Sequence, residues 1–153
     1  MPKVEGGIVI DRPIREVFSY ATSAESHLRW VPGIRDAAYL DDEPVHVGSR
    51  WRATLTFAGV SVDTVNEITR MEDNRWFEWR SVGGPVHSTG SYRFAALGPD
   101  RTRFDFSLRT DDRLAMVMGG IALPVALRLL RRELHARLAH VKASLEAGDV
   151  GLA

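Results

Sequence analysis

Few side chains in this sequence stand at spacings that catalysis or metal binding requires. There is no cysteine, which excludes thiol nucleophiles, disulfides and Cys-based metal sites. His135 and His140 are five residues apart in a helical stretch, so they point in different directions and cannot share a metal ion. His27, His46 and His87 fall in separate elements, and neither a metal nor any other cofactor is expected. Gly83-Gly84 reads as a turn and Gly119-Gly120 as the approach to a helix, so neither makes a phosphate loop. General acid–base chemistry needs a proton carrier beside the ligand. Glu67, Glu78 and Asp105 fall on the wet phase of their strands and His87 lies beside a turn, so no inward carboxylate–histidine pair emerges. What remains is a handful of polar groups on otherwise apolar strand faces. If Ile68 faces inward, so do Asn66, Thr64 and Val62, and in the next strand Phe77, Trp79 and Ser81 share that face. A buried amide left unpaired costs about 1–3 kcal/mol. Asn66, Ser81 and the Tyr92 hydroxyl are therefore the groups expected to orient a mostly apolar ligand, with bonding of Asn66 to backbone or a buried water as the plainer alternative. Arg128, Arg131, Arg132 and Arg137 form the strongest basic cluster. It reads as a solvated helix face, or else as a site for an anionic headgroup or a partner surface. No aromatics interleave with these arginines, so the stacking that single-stranded nucleic acid requires is lacking.

The elements that must position these groups follow from periodicity. Gly7 to Ile10 is a short strand, Asp11 is placed to cap a helix, and Pro13 suits its first turn. Ile14, Val17, Phe18 and Ala21 form one apolar face. Ser23 caps a second short helix that closes on Trp30-Val31-Pro32-Gly33. From Ile34 the period becomes two, and successive strands joined by short turns predict an antiparallel meander. After Asp112 the helical period returns. Leu127, Leu130, Leu134, Leu138, Val141 and Leu145 line one face, and Arg128, Arg132, Arg137 and Lys142 are assigned to the far side. Between them, Gly119, Gly120 and Pro124 weaken the helix, so the segment from Leu114 to Pro124 is expected to be a mobile gate, with Met116, Val117, Met118 and Ile121 closing one end of the interior. One long helix cannot cover both faces of such a sheet. The sheet must curl around it and leave a space between them.

With 153 residues, 44% apolar and 26% charged, the chain has the composition of an ordinary globular domain, here expected to span 1–148 with a frayed tail at 149–153. Twenty basic and twenty acidic side chains cancel, so no overall field favours nucleic acid. The beginning of the chain has no signal-peptide core, and the longest apolar run, 121–127, is interrupted by Pro124 and far too short to span a bilayer. A cytoplasmic monomer or weak homodimer without stable membrane insertion is expected.

The stretches Ile10-Asp11-Arg12-Pro13-Ile14-Arg15-Glu16-Val17-Phe18, Trp30-Val31-Pro32-Gly33, Val47-Gly48-Ser49-Arg50-Trp51, Phe77-Glu78-Trp79-Arg80-Ser81 and Gly90-Ser91-Tyr92-Arg93-Phe94, with the closing amphipathic helix, resemble the START-like (SRPBCC) superfamily and its polyketide cyclase/dehydrase group. The resemblance implies an α+β helix-grip fold in β-α-α-β6-α order, with a curved antiparallel sheet wrapped around the C-terminal helix and a cavity between them. Members bind lipids, sterols, polyketides, quinones or plant hormones, and only some are enzymes. The expected function is binding of a hydrophobic small molecule, lipid, polyketide or aromatic-like. The residues expected to line its site are Trp30, Trp51, Leu55, Phe57, Asn66, Trp79, Ser81, Tyr92, Phe94, Phe106, Leu108, Met118, Leu127, Leu130 and Leu134. The alternatives are a metal-independent polyketide cyclase or dehydratase, with His87, Tyr92 or Asn66 handling protons, and an interaction protein that docks through its arginine face. If Trp79 borders open space, Trp79→Ala should cost clearly less stability than Phe18→Ala.

Overall fold

Alternation along the middle of the chain and a 3.6-residue period at its end produce a sheet and a helix that share one apolar interface. The computed structural model describes every residue except 1, 24–25, 27–30, 32, 42–43, 58, 112 and 149–153, and the side chain of Phe57. The described strands are β1 (Lys3–Ile10), β2 (Ile34–Tyr39), β3 (Arg50–Phe57), β4 (Val60–Glu72), β5 (Trp76–Gly83), β6 (Ser88–Gly98) and β7 (Arg101–Thr110). The helices are α1 (Ile14–Thr22), α2 (Arg113–Val117) and α3 (Leu123–Glu146). The short helix expected after Ser23 lies mostly outside the described residues, although the Ser23 hydroxyl does accept the Ser26 N–H at 3.3 Å.

The seven strands form one sheet in the order β1-β7-β6-β5-β4-β3-β2, antiparallel throughout. Strands β2 to β7 are the expected meander, and β1 adds itself beside β7, with Lys3 opposite Arg109 and Ile10 opposite Thr102. Register shifts between Arg35 and Ala38, where Asp36 has φ 54°, and at two places in β4 mark bulges, which bend a strand and tighten its twist. The curled sheet grips α3 in the helix-grip arrangement. Glu67, Glu78 and Asp105 lie on the outer face, where Glu67 bridges Arg50 at 3.0 Å and Arg80 at 3.2 Å.

The long helix buries Ala126, Leu130, Leu134, Leu138, Val141 and Leu145. Close approach to β1 depends on Gly6: a Cβ there would lie 3.1 Å from Leu134 Cδ2 and 3.2 Å from Leu138 Cδ1. The helix begins earlier than periodicity indicated. Pro124 occupies its first turn, where the missing N–H costs nothing, and so starts the helix instead of interrupting it. None of the helices among the described residues is long and apolar enough to cross a membrane.

The capping role expected of Asp11 is not observed. Pro13 is the N-cap residue of α1 and no side chain caps that end. The β1–α1 corner is used instead to tie down the far end of α3. Arg12 donates from Nε to Leu145 O at 2.8 Å and from Nη2 to Glu146 O at 3.0 Å, satisfying carbonyls that a helix end leaves open. The Asp11 N–H donates to Glu146 Oε2 at 2.9 Å, Lys142 Nζ donates to Val9 O at 2.8 Å, and the Thr102 hydroxyl donates to Arg12 O at 2.8 Å.

Arg12→Ala is expected to cost about 1–3 kcal/mol, since it removes charge-assisted hydrogen bonds and exposes two acceptors. Glu146 adds a pH dependence. The Asp11 N–H and then Lys142 hold its carboxyl below the usual glutamate range. The stability from a lowered carboxyl pKa is present above the ordinary, unfolded value and is lost as pH falls through the lowered, folded one. Thermal melts from neutral to acid pH should therefore show a shallower acid decline in Glu146→Gln than in the parent. Parallel declines would assign that behaviour to other carboxylates.

Candidate functional site

The inward faces of the strands and α3 do not meet in solid packing. Between them lies a cavity of about 170 Å³. Its walls come from Val31 and Ile34 at β2, Trp51, Ala53 and Leu55 on β3, and Val62, Thr64 and Asn66 on β4. Trp79 on β5, Tyr92 on β6, and Phe106 and Leu108 on β7 continue the wall. Gly84, Pro85, Val86, Ser88, Thr110 and Leu114 border one end, and α3 contributes Leu130 and Arg137. A larger hollow of about 600 Å³ lies on the outer face of the sheet, lined by Lys3, Glu5, Arg103 and Asp105 among others. Its lining is strongly charged, with Lys3 paired to Glu5 at 3.2 Å and Arg103 to Asp105 at 3.0 Å, so the inner cavity is the better site for an apolar ligand.

Aromatic rings make the floor. Trp79 lies 4.8 Å from Tyr92, 5.9 Å from Trp51 and 6.0 Å from both Phe77 and Phe106, centroid to centroid. Tyr92 is itself 4.9 Å from Phe106, edge to face. Gly90, directly opposite Trp79 in the ladder, gives the indole its place: a Cβ there would come closer than 3.0 Å to Cζ2, Cε2 and Cη2 of that ring. With four aromatic neighbours Trp79 is a packed wall residue. It also borders the cavity, and its truncation is expected to cost about as much stability as that of Phe18.

The site residues read from the sequence divide accordingly. Trp51, Leu55, Asn66, Trp79, Tyr92, Phe106, Leu108 and Leu130 line the cavity. Ser81 does not, because its hydroxyl accepts the Ser88 N–H at 2.9 Å in the neighbouring strand. Phe94 is buried beyond the cavity, 5.1 Å from Phe18 and 5.0 Å from Phe104. Leu134 packs over Gly6, Met118 is buried in the core, and Leu127 is partly buried against it. Trp30 and the side chain of Phe57 lie outside the described residues.

The end of the cavity near α2 also differs from expectation. Leu114 borders it, whereas Met116 points outward at 76% exposure. His87 is exposed on the rim, with Nε2 3.3 Å from Arg113 Nη1 and Nδ1 3.7 Å from Asp111 Oδ2, and it does not reach the interior.

The residue missed by the sequence reading is Arg137. Arg128, Arg131 and Arg132 are exposed as expected, but Arg137 enters the cavity with its side chain only 14% exposed. The signal was present in the spacing. Arg137 is seven residues after Leu130, three after Leu134 and four before Val141, which places it inside the apolar stripe of a 3.6-residue helix. Burial pushes its guanidinium below the ordinary value, opposed first by Glu133 and then by Tyr92. Burial pushes the Tyr92 phenol up, so its hydroxyl keeps its proton at neutral pH.

Solved structures with this architecture include a START superfamily protein from Mycobacterium smegmatis, 16% identical, covering 95% of this chain and 97% of that one with a TM-score of 0.81. A protein from Thermus thermophilus, also 16% identical, covers 96% and 99% with a TM-score of 0.78. An aromatase/cyclase from Streptomyces sp. R1128, 18% identical, covers 96% and 97% with a TM-score of 0.71. At such identities the likeness is one of fold. No curated protein matches the sequence. The family profile described as polyketide cyclase / dehydrase and lipid transport matches residues 1–146, and with a START-like fold, an aromatic-floored cavity and a match over nearly its whole length, the chain belongs to that family.

Proposed function

We propose that this protein binds a hydrophobic small molecule in the cavity between the sheet and α3. The observation that carries this reading is the cavity itself, about 170 Å³ with aromatic and aliphatic walls and a few polar groups. An apolar protein cavity of roughly 150 Å³ accommodates benzene, so the volume suits a body of about one ring or a short branched chain. An extended polyketide would require the walls to move. The reading takes residues 1–148 as one ligand-binding domain acting in the cytoplasm, as a monomer or weak homodimer.

The enzymatic alternative draws support from the likeness to an aromatase/cyclase and from Tyr92 and Asn66 in the lining. A cyclase needs a proton acceptor beside its substrate. No His, Asp or Glu is among the described lining residues, and Tyr92 is held protonated. Binding without chemistry is favoured on that ground.

Native mass spectrometry of the purified protein, together with titration of a small hydrophobic fluorescent probe, tests the reading. A low-mass adduct released on unfolding, or saturable probe binding near one per chain, is the expected result. No adduct and no saturable binding would overturn it.

A further inference from the structure

Arg137 carries a positive charge into a cavity whose walls are otherwise mostly apolar. This residue lines the cavity on the same stripe of α3 as Leu130, and its Nε is buried with no hydrogen-bond partner among the described residues. Glu133, four residues earlier on α3, forms an ion pair with it at 3.7 Å from Nε, longer than a hydrogen bond to that atom, and supplies no part of the cavity wall. A guanidinium stays cationic in proteins and presents a planar fork of donors. Enclosing such a group beside incompletely matched partners is costly. An occupant bearing a carboxylate would neutralise it and meet the fork with paired, charge-assisted hydrogen bonds. Tyr92, also in the lining and close enough for each group to affect the other's ionisation, sets a second polar group near the guanidinium.

Resting on the binding reading above, we propose that the ligand is a compact organic acid, with one ring or a branched chain of similar volume in the aromatic part of the cavity and its carboxylate seated against Arg137. No bond is made or broken; the site selects by charge and size.

The test is an NMR chemical-shift titration at neutral pH with benzoate and cyclohexanecarboxylate against two neutral counterparts, benzamide and benzyl alcohol. In the native protein the acids should bind at least about tenfold more tightly than the neutral compounds. Arg137→Met should bring that ratio to about one, because the charge-assisted pair with the acids is lost. Arg137→Lys should retain part of the preference, since it keeps the charge and loses the fork. Glu133→Gln should raise the affinity for the acids, because it removes the carboxylate that competes for Arg137. A purely structural role for Arg137 predicts no such rise. Equal binding of acids and neutral compounds by the native protein, or a preference that survives in Arg137→Met, overturns this inference and leaves the hydrophobic-ligand reading standing. No binding by any of the four compounds overturns both. If Arg137→Met fails to fold, the native ratio and the Glu133→Gln response decide alone.

Discussion

Gly90→Ala is expected to lose about 1–3 kcal/mol of stability, the usual range for forcing extra volume into a packed interior, and to lose most of its capacity for a small hydrophobic probe. The added methyl would overlap the six-membered ring of Trp79. That indole is confined by Trp51, Phe77, Tyr92 and Phe106, and the cavity is the unfilled volume at its edge. The ring should therefore swing inward and take the space a ligand would use. Denaturant melts, probe titration and tryptophan emission on parent and variant measure the two effects separately. Unchanged emission with full probe binding would show that the strand yields instead of the ring.

Trp79→Ala is expected to cost about 3–5 kcal/mol, the range for cutting a buried large aromatic to Ala. Phe18→Ala should lose a comparable amount, since Phe18 is buried against the Phe94 ring at 5.1 Å. Only the first substitution touches the cavity. The two variants should thus unfold at similar denaturant concentrations yet differ in ligand behaviour. Trp79→Ala should bind a one-ring probe weakly because one wall has receded, and Phe18→Ala should keep the parent affinity for as long as it remains folded. A Trp79→Ala protein with parental affinity would show that the rings of Trp51, Tyr92 and Phe106 suffice as the wall.

Much of this arrangement was legible in the sequence because strand alternation carries phase. Once Ile68 is set inward, Asn66, Thr64 and Val62 follow, and all three line the cavity. Facing inward does not by itself put a side chain in the wall. Ser81 keeps the inward phase, opposite Asn66 in the ladder, and it is its hydroxyl bond to the Ser88 N–H that keeps it out of the lining; past it a register shift falls between Val65 and Asn66. On α3 the stripe of leucines was readable, but the position of each residue along it depends on what lies opposite. Leu134 meets a glycine of β1 and Leu130 meets the cavity. Arg137 was assigned to solvent because it is charged, although its spacing placed it with the leucines. Of the two caps read from the sequence, Ser23 was met by the Ser26 N–H, and Asp11 was not. Asp11 has the right side chain for a helix start, but its carboxylate pairs with Arg101 at 3.5 Å and its N–H with Glu146, a residue 135 positions away.

That last bond, with its companions from Arg12 to the carbonyls of Leu145 and Glu146, bears on how the protein emerges from the ribosome. Made before the other described strands, β1 can find neither its sheet partner, which ends at Thr110, nor the helix end that its corner grips until α3 has been made. Assembly dominated by pairings so distant in sequence is slow. During synthesis β1 therefore waits unpaired for the edge of β7 and for the apolar stripe of α3, in a state that invites association with other chains. Nascent chains stalled before α3 should consequently lack the cavity altogether and depend on chaperones, so the capacity to hold a ligand arises in a single late step.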